Sequence, residues 1–185
     1  MNSVSFNEEK AIAVILYILK SIGGQIDMYR LAKILYFADQ KHLVTYGRTI
    51  LGDEYVPMEY GPVPSAIYNA VKMINNDNTR YKLFSKKLQL SVKDGYIRVI
   101  LSSMPPDMDE LSLSDIECLD ASIEENKTLE FDDLCKKSHK LAWNTAAEKG
   151  LARIRMEDIA REAGASDDFI AYIKDYVNDC NLVLV

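Results

Sequence analysis

Apolar positions along the first quarter of the chain keep a helical period. Ala11, Ile15, Ile18 and Ile22 recur at three- and four-residue steps, and Ile12, Leu16 and Leu19 widen the stripe. Ser5 and Glu8 stand three apart ahead of it, the pattern of a capping box with Ser5 accepting from the backbone. Gly23-Gly24 ends this helix. Asp27 is placed to cap a second one, with Met28, Leu31, Leu35 and Ala38 along one face. That helix is expected to reach about Tyr46, because Gly47 suits the position just past a helix end. A third stripe, Val63, Ile67, Ala70, Val71 and Ile74, predicts a helix over 63–75.

The period then drops to two. Leu88, Leu90 and Val92 alternate with polar residues, as do Ile97, Val99 and Leu101, and Asp94-Gly95 between them predicts a two-residue hairpin turn. Helical spacing returns beyond Met104-Pro105-Pro106. Ser114 to Glu117 reads as a second capping box, opening a helix with Ile116, Leu119 and Ile123 inward. One helix over 131–149 and two shorter ones at 156–163 and 167–179 complete the pattern. The fold class expected is mainly α (α+β): a helical domain with one central β-hairpin and a winged-helix-like order in the N-terminal half. Residues 1–150 are expected to form one domain, with 151–185 a helical extension packed on it.

The stretch between the second and third helices breaks both periods. "TILGDEYVPMEY" carries turn residues at Gly52-Asp53 and a short β-favouring run at Tyr55 and Val56. "EYGPVPSAIY" follows. Gly61 allows a turn that other residues resist, Pro62 has no amide hydrogen to lose, and Pro64 suits the first turn of a helix. So much restricted backbone at one junction predicts a rigid joint.

Composition removes several classes of function. No apolar run approaches the length of a membrane span, and "AIAVILYILKSI" is interrupted by Lys20 and lacks a signal-peptide cleavage site. Cys118, Cys135 and Cys180 are few and widely spaced, so the chain reads as cytoplasmic. The net charge of −6 divides unevenly: residues 1–103 carry 13 Lys+Arg against 9 Asp+Glu, and residues 104–185 carry 9 against 19. A basic nucleic-acid footprint is therefore absent overall and reversed in the second half. The order of three helices and a hairpin is that of a winged helix, and a DNA-binding regulator is the alternative reading. Its would-be reading helix carries only Lys72, although Arg80, Lys82, Lys86 and Lys87 lie close in sequence. A helix-turn-helix-like spacing near Ile159 to Ile170 sets Asp167, Asp168, Asp175 and Asp179 against Lys174, a surface that repels phosphate. DNA is thus disfavoured as a partner.

Catalytic chemistry finds no foothold. Cys135 and His139 lie four apart on one expected helix face, too few ligands for a structural zinc and a poor nucleophile–base pair without a third group. Asp39 and His42 lie one helical turn apart, a spacing commoner in surface or cap roles than in acid–base work. No P-loop or dinucleotide fingerprint is present, so no cofactor, metal or enzymatic activity is expected. The tyrosines stand out instead. Tyr29, Tyr36, Tyr46, Tyr55, Tyr60 and Tyr68 fall close together, and tyrosine offers large contact area with a polar tip. The plain alternative, that the hydroxyls tie the 48–62 loop down, fits Tyr36 and Tyr60 best.

Three motifs in this region carry a resemblance. Leu31 to Ala38 is similar to a "KL-x-KLLYFA" helix, Tyr46 to Tyr55 to "YGRPL-x-GD-x-Y", and Tyr60 to Val63 to "YGPV". Ser138-His139 with Trp143 resembles a later "SH…W" element, and Thr49 departs from the pattern where proline is usual. Together they resemble the Panacea domain, the bacterial and phage-associated module typified by the SocA antitoxin, over about residues 8–150. The resemblance implies a non-catalytic protein of a toxin–antitoxin system that neutralises a cognate toxin by direct contact, some members passing it to a protease as adaptors. Tyr46, Arg48, Asp53, Tyr55 and Tyr60 are then the expected partner contacts, with Gly61, Pro62, Pro64 and Trp143 forming the structural joint. A homo-oligomer is left open.

Overall fold

The computed structural model describes residues 6–74 and 81–182. Ser5, Arg80 and the expected end of the third helix at 75 lie outside the described residues, as do the side chains of Asp179 and Cys180. The elements run α1 (Glu8–Ile22), β1 (Gln25–Asp27), α2 (Met28–Tyr46), β2 (Tyr55–Met58), β3 (Gly61–Pro64), α3 (Ser65–Lys72), α4 (Lys82–Lys87), β4 (Gln89–Lys93), β5 (Ile97–Leu101), α5 (Leu113–Asn126), α6 (Phe131–Ser138), α7 (Leu141–Glu148), α8 (Met156–Glu162) and α9 (Asp167–Leu182). This is the mainly helical α+β class, with small antiparallel sheets.

Helix α2 follows its sequence signals closely. Asp27 accepts from the Arg30 amide at 2.8 Å, and Gly47 closes the other end at φ 74 with its amide donating to the Leu43 carbonyl. Helix α1 is capped by Asn7, which accepts from the Lys10 amide, rather than by Ser5. Asparagine caps as well as serine, and this start puts Glu8 and Glu9 in the first turn, at the positive end of the helix dipole. The second capping box is likewise displaced, to Ser112 and Asp115: Ser112 Oγ accepts from the Asp115 amide and Asp115 Oδ2 accepts from the Ser112 amide.

Larger corrections fall on pairing. The hairpin β4–β5 forms as expected, with Asp94 and Gly95 both at positive φ, but Lys93 pairs with Ile97 and the loop holds three residues. The three-residue β1 joins it, giving the order β1-β5-β4. A strand that short leaves no alternation to read. Residues 61–64 form β3, paired antiparallel with β2, so Val63 and Pro64 belong to a ribbon and α3 starts at Ser65. In that register Pro57 faces Pro62, and a two-stranded ribbon accepts prolines whose missing amides face away from the pairing. The long helix expected over 131–149 breaks at His139-Lys140 into α6 and α7. Glu162 of α8 accepts from the Ala142 amide at 2.8 Å, so a distant element starts α7 anew.

Two hydrophobic clusters flank α2. On one side Leu31, Ile34, Leu35 and Ala38 pack with α1, Ile67, Val71, Phe84, Ile100, Leu119 and Ile123. On the other, Tyr36, Phe37 and Leu43 pack with Tyr55, Ala142, Ala146, Ile159, Ala160, Ile170 and Ile173. The Ile154 amide also donates to the Tyr55 carbonyl at 2.8 Å, stitching the C-terminal segment to β2. A fully buried α2 core, wetted on neither side, explains why its apolar pattern is broader than a single stripe.

Candidate partner-binding site

The loop after α2 is held from below by two buried polar residues. Asp39 accepts from the Ile50 amide at 2.7 Å and from the Tyr55 hydroxyl at 2.8 Å. Burial pushes its pKa up to about 6 against those two hydrogen bonds. His42 Nδ1 donates to the Arg48 carbonyl at 2.7 Å, which turns Nε2 toward Ser114 Oγ (3.1 Å) and Asp115 Oδ1 (3.2 Å). Burial raises the pKa of Asp115, but His42, Lys10 and Ser112 outweigh it and hold the carboxyl well below the usual range. Asp39 and His42 therefore shape the loop from inside.

Asp53 then launches α3. Its carboxylate accepts from the amides of Glu54, Ala66 and Ile67 at 2.7, 2.9 and 3.0 Å, and from the Ser65 hydroxyl. Pro64, at the N-cap, has no side chain to do this, so the Gly-Asp turn supplies the cap from a distance.

The elbow at Gly61 is built over a buried lysine. Lys33 is fully buried, donates from Nζ to the Pro62 carbonyl at 3.1 Å, and lies 4.8 Å from the centre of the Tyr29 ring. Burial pulls its pKa down to about 7. Gly61 has φ 104, and a Cβ there would meet Ser138 Oγ at 2.5 Å and Lys33 Nζ at 2.6 Å, so both conformation and space require glycine. Trp143 donates from Nε1 to the Met58 carbonyl at 2.9 Å and stacks on His139 with 3.8 Å between ring centres. Of the residues expected to form the joint, Gly61 and Pro62 lie against Lys33, Pro64 pairs with Tyr55, and Trp143 holds the ribbon at Met58; Lys33 was not foreseen.

Beside this elbow lies an open cleft of about 1110 Å³. Its lining includes Tyr29, Tyr60 and Phe131 on one wall, Tyr68 from α3, and Tyr96 and Arg98 from the β4–β5 hairpin. Phe131 links the wall, 4.3 Å from the Tyr29 ring and 5.5 Å from the Tyr60 ring.

The five expected contacts separate into inner and outer groups. Asp53 and Tyr55 are buried, so their side chains serve the interior and are corrected from surface contacts to internal supports. Tyr46, Arg48 and Tyr60 are exposed; Tyr46 donates to Glu117 at 2.6 Å, and Arg48 lies 3.6 Å from Asp115. Tyr60 is on the cleft, at the other end of the motif. Tyr36 is tied to Glu162 of α8 rather than to the loop. Sequence reasoning missed Tyr96, Phe131 and Arg98. An aromatic following an Asp-Gly turn was the available signal for Tyr96; nothing local marked the other two. Cys135 and His139 do meet, Sγ lying 3.6 Å from Nε2, but among the described residues no three metal-ligating side chains gather.

These features define a mainly helical protein of winged-helix order whose motif residues brace a rigid elbow beside an aromatic cleft. The model of the antitoxin SocA-like Panacea domain matches residues 31–144, and the chain belongs to that family. The matched span contains all of α2 but its first three residues, the elbow, the cleft wall at Phe131 and Trp143. No curated protein and no solved structure matches the chain. No helix among the described residues is long and apolar enough to cross a membrane.

Proposed function

We propose that this chain is a non-catalytic antitoxin-like protein that neutralises a cognate toxin by direct protein–protein contact. Family membership is the observation that carries the reading. The geometry supports it: the motif residues with polar chemistry are spent on internal bracing, and what they brace is a surface bearing Tyr46, Arg48 and Tyr60. A preformed surface of this kind loses little freedom on docking. Handover of the toxin to a protease is a further step open to such a complex.

Co-expression tests the reading directly. The product of each adjacent gene is induced alone and together with this chain; one of them is expected to arrest growth alone and to be tolerated in the pair. If none is toxic alone and rescued in the pair, the antitoxin role fails. In rescued cells, toxin that persists in a complex marks sequestration, and toxin that disappears marks delivery to a protease.

A further inference from the structure

We infer that the cleft between the β4–β5 hairpin and the Tyr60 elbow binds an acidic, apolar-bearing segment of the partner protein, through Tyr60, Tyr96, Phe131 and Arg98. This rests on the antitoxin reading and adds the place and chemistry of contact.

Size is the first argument. The cleft, about 1110 Å³, is at the upper end of the roughly 300–1,000 Å³ of small-molecule sites, and its open form suits a length of polypeptide. Aromatic exposure is the second. Tyr96 is 76% exposed, Tyr60 51% and Phe131 45%, all on this one cleft. Five other tyrosine hydroxyls are engaged: Tyr17 with Asp120, Tyr36 with Glu162, Tyr46 with Glu117, Tyr55 with Asp39 and, on the cleft wall itself, Tyr29 with the Phe131 carbonyl. Tyr60 and Tyr96 have no such bond among the described residues. Half-exposed rings with free polar tips are the side chains that anchor protein interfaces.

Charge names the occupant. Arg30, Lys93, Arg98 and Lys127 line the cleft against Asp27 and Glu59. Arg30 is occupied by Asp27 and by the carbonyls of Asn126 and Lys127, and Lys127 pairs with Glu124. Arg98 and Lys93 have no ion pair among the described residues, and neither has Glu59, which leaves the cleft an excess of one positive charge. The strand register puts Arg98 on the same face as Ile26 and Ile100, which are buried, so its half-exposed charge stands at the edge of the core. A molecule of net charge −6 that leaves cations unpaired beside exposed tyrosines is complementary to carboxylates mixed with apolar side chains. Single-stranded nucleic acid also stacks on aromatics among cations. The molecule's negative field opposes a polyphosphate far more than a segment with a few carboxylates.

The test uses the full chain. Displayed random peptides are selected on it, and one enriched peptide is labelled for fluorescence anisotropy against wild type, Arg98→Glu, Tyr60→Ala, Tyr96→Ala and the remote exposed control Lys149→Glu. Enriched peptides are expected to combine Asp or Glu with aromatic or aliphatic residues. Arg98→Glu and Tyr60→Ala should each weaken binding roughly tenfold or more, with Lys149→Glu unchanged. Circular dichroism confirms that each variant is folded, and Tyr96→Ala, at a solvent-exposed hairpin tip, keeps the test alive if another variant is not. No enrichment, enrichment of basic peptides, unchanged affinity in the folded cleft variants, or displacement by single-stranded oligothymidylate overturns the proposal. Growth rescue separates the two readings. Rescue that survives Arg98→Glu and Tyr60→Ala removes the cleft and leaves the antitoxin role; absence of any toxic neighbour removes that role while the peptide selection still decides the cleft.

Discussion

Single residues here place ionisable groups where water does not reach. Lys33 has a carbonyl and a ring for company, and its pKa falls from 10.5 to about 7. The unfolded chain keeps that proton to about pH 10, so between about pH 7 and pH 10 the unfolded state binds more protons and stability rises with pH. The limiting slope is about 1.4 kcal/mol per pH unit. Urea unfolding at about pH 7.5 and about pH 9 should show this gain in the wild type and its loss in Lys33→Met; an equal gain in the variant would place the proton elsewhere. Asp53 makes a second prediction at this scale. Asp53→Ala orphans the Ala66 and Ile67 amides at the start of α3 and the Glu54 amide in the loop, and should cost about 2 kcal/mol of stability, read as a lower urea midpoint with an unchanged slope. A loss below about 0.5 kcal/mol would mean that water replaces the cap.

Elements are where local signals competed with tertiary ones. Gly47, Asp27 and the Asp94-Gly95 turn act through their own backbone, and each was legible because nothing distant contradicts it. Ser112, Pro64 and His139 were not. The box at Ser114 lost to Ser112, since the latter brings Asp115 within reach of Lys10 at 2.8 Å and beside His42. The 131–149 helix lost to Glu162 and to the stacking of Trp143 on His139. Trp143 also clamps the β2–β3 ribbon through the Met58 carbonyl, so Trp143→Ala should speed amide exchange in 55–64 roughly tenfold more than in α1 and α5. Uniform acceleration across the chain would show that the tryptophan contributes only to global stability.

For the whole molecule, α2 is the shared wall of two cores, and the second core needs Ile154, Ile159, Ala160, Ile170 and Ile173 from beyond residue 150. A chain shortened to residue 150 should lose its cooperative thermal transition and bind a hydrophobic dye, because Tyr36, Phe37, Leu43 and Tyr55 become exposed. An unchanged transition in the shortened chain would make the C-terminal segment an independent appendage. The sequence by itself determined the helical class, the hairpin, the ends of α2 and the glycine–proline elbow, since each rests on backbone chemistry acting within a few residues. Its motifs also marked the family. Only the tertiary structure decided which tyrosines face inward, how β1 completes a sheet, and that Tyr60, Tyr96, Phe131 and Arg98 share one cleft. Those outcomes depend on residues dozens of positions apart meeting in space, and burial, unlike periodicity, has no local signature.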